Sequence, residues 1–367
     1  MIQNCRPENT GAHEKILGIN IAKDIITMTK IRKVVYILQK KKYSKEMLLD
    51  LYQTMVRIRK FETKLTEYFT KGMLYGNIHT SIGQEAVAAG ANKALEKTDL
   101  ITTTHRGHGQ IIAKGADTKI MMAELFGRKT GYCGGKGGSM HVADVSLGIL
   151  GANGIVGAGI PIAAGSGLAS KIMGTKEVSV AIFGDAASNQ GVFHEAVNMA
   201  AAWKLPVVFL CENNNYGVSV NIHTVTNTDT IAERSKAYGI PGVTVEGNDP
   251  LAVYEAVKQA VEYAREGNGP SIVECMTWRM RGHYEGDPAA YRPKEVTEEW
   301  GKKDPIDNFR AHLVKEGIEE KELVSIEEAA EKEIEEAVQF ALDSPLPDPS
   351  EVTDDVYSSD NERCVAR

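Results

Sequence analysis

Apolar and polar positions divide this chain into short apolar runs alternating with amphipathic stretches. VSVAIF (178–183) is rich in β-branched residues, too brief for a helix and stopped by Gly184-Asp185, so it predicts a buried strand. Asn189 and Gln190 then lead into a helical period over Ala187–Ala202, with Phe193, Val197, Ala200, Ala201 and Lys204 on one face. Leu205-Pro206 breaks that helix, and VVFLC (207–211) predicts a second buried strand ending at Glu212-Asn213-Asn214. A strand–helix–strand unit of this kind pairs its strands in parallel and brings both strand ends to one edge of the sheet. Asp185 and Asn214 therefore stand just beyond neighbouring tips, where open α/β sheets bind ligands.

The same periodicities extend outward. Ser44 caps a helix whose apolar stripe is Leu48, Leu51, Tyr52, Met55 and Ile58. Val243–Glu246 and Ser271–Cys275 read as further strands. Between them Asp249 and Pro250 open a helix that turns Val253, Val257, Ala260, Val261 and Ala264 inward. Ser325-x-x-Glu328 reads as the capping box of a last amphipathic helix with Ile326, Ala330, Ile334, Val338 and Ala341. Strands alternating with such helices predict the α/β class, a mostly parallel sheet with helices on both faces.

Composition narrows the partners. A chain of 367 residues with 43% hydrophobic and 25% charged positions is soluble and globular in character. A net charge of −7 gives no general reason to expect nucleic acid or an anionic membrane. No apolar run approaches the roughly 20 residues that span a bilayer. The five cysteines are odd in number and lack paired spacing, which argues against a disulfide framework or a zinc site and for a reducing cytoplasm. In residues 1–43, VVYIL lies among Lys30, Arg32, Lys33 and Lys40–Lys42, too short and too far in for a secretory signal. That segment reads as a mobile extension or an extra interface element.

Candidate chemistry gathers in the glycine-bearing polar stretches. One carboxylate, one amide oxygen and the carbonyls of a tight loop make a hard-oxygen site that suits magnesium, with phosphate oxygens completing its shell. The plainer alternative for Asp185 is an N-cap. TTTHRGHG (102–109) reads as a polar turn in which Arg106 suits an anion with several acceptor oxygens. His105 and His108 alone are a weak zinc fragment without a third ligand. Gly157-x-Gly159 starts like a dinucleotide fingerprint, but Ile162 holds the third glycine's place and no clear strand precedes it, so NAD is not expected. WRMRGHYEGDPAAYRP (278–293) is too polar and glycine-rich for core.

GDA followed by NN after a second strand resembles the thiamine-diphosphate motif. From about Ser44 to about Ser344 the sequence resembles the alpha subunits of the first component of 2-oxo acid dehydrogenase complexes, the pyruvate and acetoin dehydrogenase alpha chains. The resemblance implies an extension at 1–43, a thiamine-diphosphate-binding domain at 44–345 and a tail at 346–367. It implies magnesium held by Asp185, Asn214 and the backbone carbonyl of Tyr216. His105 and Arg106 would meet the diphosphate, as would Ala186 and Ala187, while Gly154 and Val156 would meet the bent cofactor. His79, in an H-x-x-x-GQE pattern, and His283, in R-G-H, would face the substrate. The family usually has glycine at position 186, so a methyl there would crowd the diphosphate if the residue needs a positive φ.

No glutamate suited to activating the cofactor's aminopyrimidine is evident. In two-chain members of the family it comes from a beta subunit, which implies an α2β2 heterotetramer that hands its acyl group to a lipoyl-bearing acyltransferase. The loop sequences favour acetoin as substrate, with pyruvate the alternative. A non-catalytic, cofactor-binding scaffold is the reading from another class.

Overall fold

The computed structural model describes residues 43–354, so all but Tyr43 of the 1–43 segment, and the end of the tail, lie outside the described residues. Ser44 caps the first long helix, Lys45–Thr70, by accepting from the Met47 amide at 3.2 Å. Each of the five apolar positions expected to line its inner face is buried.

The sheet has six parallel strands: β1 (Leu100–Thr104), β2 (Ile149–Asn153), β3 (Ser179–Gly184), β4 (Val207–Asn213), β7 (Gly242–Glu246) and β8 (Ser271–Met276). Their spatial order is β2-β1-β3-β4-β8-β7. A separate antiparallel hairpin pairs β5 (Tyr216–Gly217) with β6 (Val220–Asn221). Both sheet faces are covered, which is why the central strands read as continuous apolar runs rather than alternating ones. Val180, Ile182, Val208, Leu210 and Val273 join the core on one face; Ala181, Phe183, Val207, Phe209 and Ile272 join that on the other. The helix Pro250–Arg265 packs on the first face, and Gly159–Met173 with Gly191–Ala202 on the second. Close approach explains the small residues of Gly159–Met173: a Cβ at Gly167 would stand 2.6 Å from Val207 Cγ2.

Four details depart from the sequence reading. The segment after β3 is not one helix from Ala187. Asp185–Asn189 form a 3-10 turn, Gln190 is extended, and the helix begins at Gly191 and ends at Ala202, short of Lys204. Ser325 caps nothing. The last helix starts nearly two turns earlier, at Glu320, and Leu323 adds a fully buried position to its apolar stripe. The polar-looking Thr102–Thr104 is the end of β1, and its threonines suit a strand whose neighbours supply the burial. A strand, β2, does precede the Gly157-x-Gly159 segment. The ground that remains against a dinucleotide fingerprint is Ile162 in the third glycine's place.

Candidate active site

From β1 the chain steps outward to β2 on one side, while β3, β4, β8 and β7 continue on the other. The switch point of such a sheet leaves a crevice at the carboxyl ends of β1 and β3. Residues just past β1 (His105, Arg106), past β3 (Asp185, Ala186, Ala187) and past β4 (Asn214, Tyr216) line one cavity there, together with Val156 and His283. Gly184 pairs with Glu212 across β3 and β4, so the two tips that carry Asp185 and Asn214 are in register.

Asp185 is 1% exposed, and its Oδ2 has no hydrogen-bond partner. Burial pushes its pKa up to about 6, opposed by the backbone amides of Asp185 and Asn214. A buried carboxylate oxygen left unpaired in this way suits a cation. Asn214 donates to Gln84 Oε1 at 3.3 Å and accepts from the Tyr216 amide at 3.3 Å. The Tyr216 ring packs edge-on to Trp278, 5.8 Å between centroids. A carboxylate, an amide oxygen and loop carbonyls at a strand tip form a donor set of the kind magnesium takes.

The positive side of the cavity is Arg106, which is buried. It donates to the Thr80 carbonyl at 2.6 Å and to the His283 carbonyl at 2.8 Å. Burial first, then the Arg279 guanidinium, lowers its pKa to about 9. Arg279 lines the same cavity, donates to the Val218 carbonyl at 2.9 Å and leaves Nε buried without a partner. Two guanidiniums converging this way suit an anion.

His79, His105 and His283 form a triangle of imidazoles, with ring centroids 4.7, 5.0 and 5.5 Å apart. His105 and His283 line the cavity, and His79 stands beside them. Burial, then Arg106, lowers all three pKa values, to about 3 for His79, about 2 for His105 and about 4 for His283. At neutral pH all three rings are therefore uncharged.

Gly154 is not on the cavity wall. A Cβ there would meet His141 and Met140 at 3.6 to 3.7 Å, so it backs onto the glycine-rich loop. Ala186 does not have a positive φ. Its methyl points at the hairpin instead, where a Cβ on Gly217 would lie 2.5 Å from it.

Sequence reasoning gave no role to Arg279, Gln84, Val218 or Glu212, all of which line the cavity. Burial raises the Glu212 pKa to about 7, and the side chain accepts from Gln110 at 2.7 Å. Val218 carries a signal that only backbone geometry gives. Its φ of 53° is uncommon for a β-branched residue, and its carbonyl is the one Arg279 holds.

Comparisons with known proteins identify the family. The dehydrogenase E1 component family matches residues 53–350. The chain is 52% identical to the acetoin:2,6-dichlorophenolindophenol oxidoreductase alpha subunit of Bacillus subtilis, over 86% of this chain and 95% of that protein. It is 45% identical to the Cupriavidus necator protein of the same name, over 86% and 95%. It is also 43% identical to the pyruvate dehydrogenase E1 component alpha subunit of Zymomonas mobilis, over 83% and 86%. This chain belongs to the dehydrogenase E1 component family.

Proposed function

We propose that this chain is the alpha subunit of a thiamine-diphosphate-dependent acetoin dehydrogenase, working with a beta subunit in an α2β2 heterotetramer in the cytoplasm. One observation carries the reading: the buried, partnerless Oδ2 of Asp185, just past the paired tips of β3 and β4 in the cavity that Asn214 and Arg106 also line. Asp185, Asn214 and the Tyr216 carbonyl would hold magnesium. Arg106, with the loop at Ala186 and Ala187, would hold the diphosphate, His105 would lie beside it, and Val156 would support the bent cofactor. Thiamine diphosphate, when bound, supplies the nucleophilic carbon and the electron sink for carbon–carbon bond cleavage.

This chain's own residues bind, orient and move protons. Arg106 is fixed by two carbonyls, so it presents its remaining N–H groups without reorganising. His283 and His79, uncharged at neutral pH, can take a proton from a substrate hydroxyl or donate a ring N–H to a carbonyl oxygen. The bound diphosphate would offset Arg106, raising both pKa values toward the working pH.

Acetoin is favoured by the two relatives whose names carry it, at 52% and 45% identity. Cleavage would release acetaldehyde and pass an acetyl group to a lipoyl-bearing acyltransferase. Pyruvate is the second reading, favoured by the partnerless Nε of Arg279, which suits a substrate carboxylate. Purified alpha and beta chains, assayed with each substrate, magnesium, thiamine diphosphate and an artificial electron acceptor, decide between them. Turnover of acetoin but not pyruvate is expected. Turnover by the alpha chain alone would refute the two-chain reading, and binding without turnover of either substrate would favour a scaffold.

A further inference from the structure

The proposed chemistry uses His79 and His283 as proton carriers and sets His105 beside the diphosphate, which leaves the convergence of the three rings unexplained. The nearest ring nitrogens of His79, His105 and His283 all lie within 4.8 Å of one another. His79 Nδ1 is buried with no hydrogen-bond partner. Nδ1 of His283 receives only a 3.3 Å contact from Arg279, longer than that guanidinium's bonds to Val218 at 2.9 Å and Tyr291 at 3.1 Å. We propose that His79, His105 and His283 together form a binding site for zinc or a similar late first-row divalent ion, at the edge of the cavity that Asp185 and Asn214 also line.

Three neutral nitrogens with an open fourth position are a zinc, cobalt or copper donor set; magnesium, which takes oxygen, is not recruited. A tetrahedral ion with bonds of about 2.0–2.1 Å sets its nitrogens roughly 3.3 Å apart, so the rings must close on it by rotation. His105 and His283 are partly exposed, while His79 is buried. Imidazole ligates in its neutral form, so the site fills above the ordinary histidine pKa of about 6.5. The opposing effect is repulsion from Arg106 and Arg279. Both guanidiniums are engaged with backbone carbonyls and would face the diphosphate, which offsets their charge. The positive surroundings select an anion, hydroxide or chloride, as the fourth ligand. An ion there occludes the side of the cavity where His79 and His283 meet substrate, so it inhibits. The inhibition and the offset of the guanidinium charge rest on the proposed function; the three-nitrogen donor set does not.

The test uses assembled alpha and beta chains already saturated with magnesium and thiamine diphosphate, so that the oxygen site is filled. Titration with cobalt(II) is expected to give the intense visible absorption of a tetrahedral centre, saturating at one ion per alpha chain and bleached by zinc. His105→Phe removes one ligand while keeping a planar ring and should weaken cobalt binding by at least ~10-fold, the loss that follows even when an outer partner of a metal ligand is removed. His283→Asn should do the same. Only weak octahedral absorption in the unmodified protein, or unchanged cobalt affinity in both variants, overturns the proposal. The absorption is read whether or not acetoin or pyruvate turns over, so its failure is distinct from failure of the enzymatic reading.

Discussion

His108 places Nδ1 3.0 Å from Glu62 Oε2, and neither side chain is exposed to solvent. The other Glu62 oxygen accepts from the Ser81 amide at 2.8 Å and from the Ser81 hydroxyl at 2.7 Å. Nε2 of His108 meets the Ser139 hydroxyl at 2.9 Å. The pair thus ties the first long helix to the loop of His79–Ser81 and to the glycine-rich loop. Glu62→Ala should destabilise the chain by about 3–5 kcal/mol, because it strands buried donors on two sides. Glu62→Gln should cost far less, since the ring of His108 can switch tautomer to face an amide N–H. Urea unfolding of the two variants measures the difference; equal losses would show that the contact is mere packing.

Asp185→Asn separates stability from binding. The carboxylate pKa lies at about 6, above its ordinary value of 3.8, so ionising it in the folded chain opposes folding. The folded state holds the proton more tightly, and stability falls as pH rises from about 4 to about 6. Without metal, the asparagine variant should therefore be more stable at neutral pH by about 3 kcal/mol. It should also lose magnesium-dependent binding of thiamine diphosphate. Thermal unfolding without ligand and calorimetric titration with it give the two readouts.

The imidazole triangle gives the opposite sign. Its members titrate at about 2 to 4 when folded, against an ordinary 6.5. Below about pH 6.5 the unfolded chain binds protons that the folded chain refuses, so stability is lost as pH falls from there toward 4. Histidine NMR signals should titrate below pH 5 in the free protein and move upward once diphosphate offsets Arg106. A His283 resonance that titrates near 6.5 in the free protein would contradict this.

Gly217 and Ala186 should behave as a coupled pair. Gly217→Ala sets two methyl carbons 2.5 Å apart and should cost about 1–3 kcal/mol. Ala186→Gly, which alone changes little, should restore most of that loss. A double-mutant cycle by chemical unfolding reads the coupling, and additive effects would place the strain elsewhere.

What the sequence made legible follows from burial. The β3–helix–β4 unit was readable because both faces of its strands are covered, which writes itself as VSVAIF and VVFLC. β1 was not, because Thr102 and Thr103 are buried by neighbours rather than by their own apolarity. The last helix began earlier than its capping pattern suggested because Leu323 is a packing position, and packing depends on partners distant in sequence. Asp185 and Asn214 emerged from strand ends alone. His79 and His283 came only through resemblance, since a histidine in a polar loop carries no local mark of what it will face. Arg279 was missed for a related reason: in WRMR nothing distinguishes the arginine that turns inward from Arg281, which stays exposed.

Arg106 has a consequence for how the cavity fills. Its fork is bolted to Thr80 on one loop and to His283 on another, from regions far apart in the chain. It cannot swing out to fetch an incoming anion, so the anion must travel to a stationary anchor. Both loops feel that arrival through the same guanidinium, so His283, which holds it, and His79, next to Thr80, respond together.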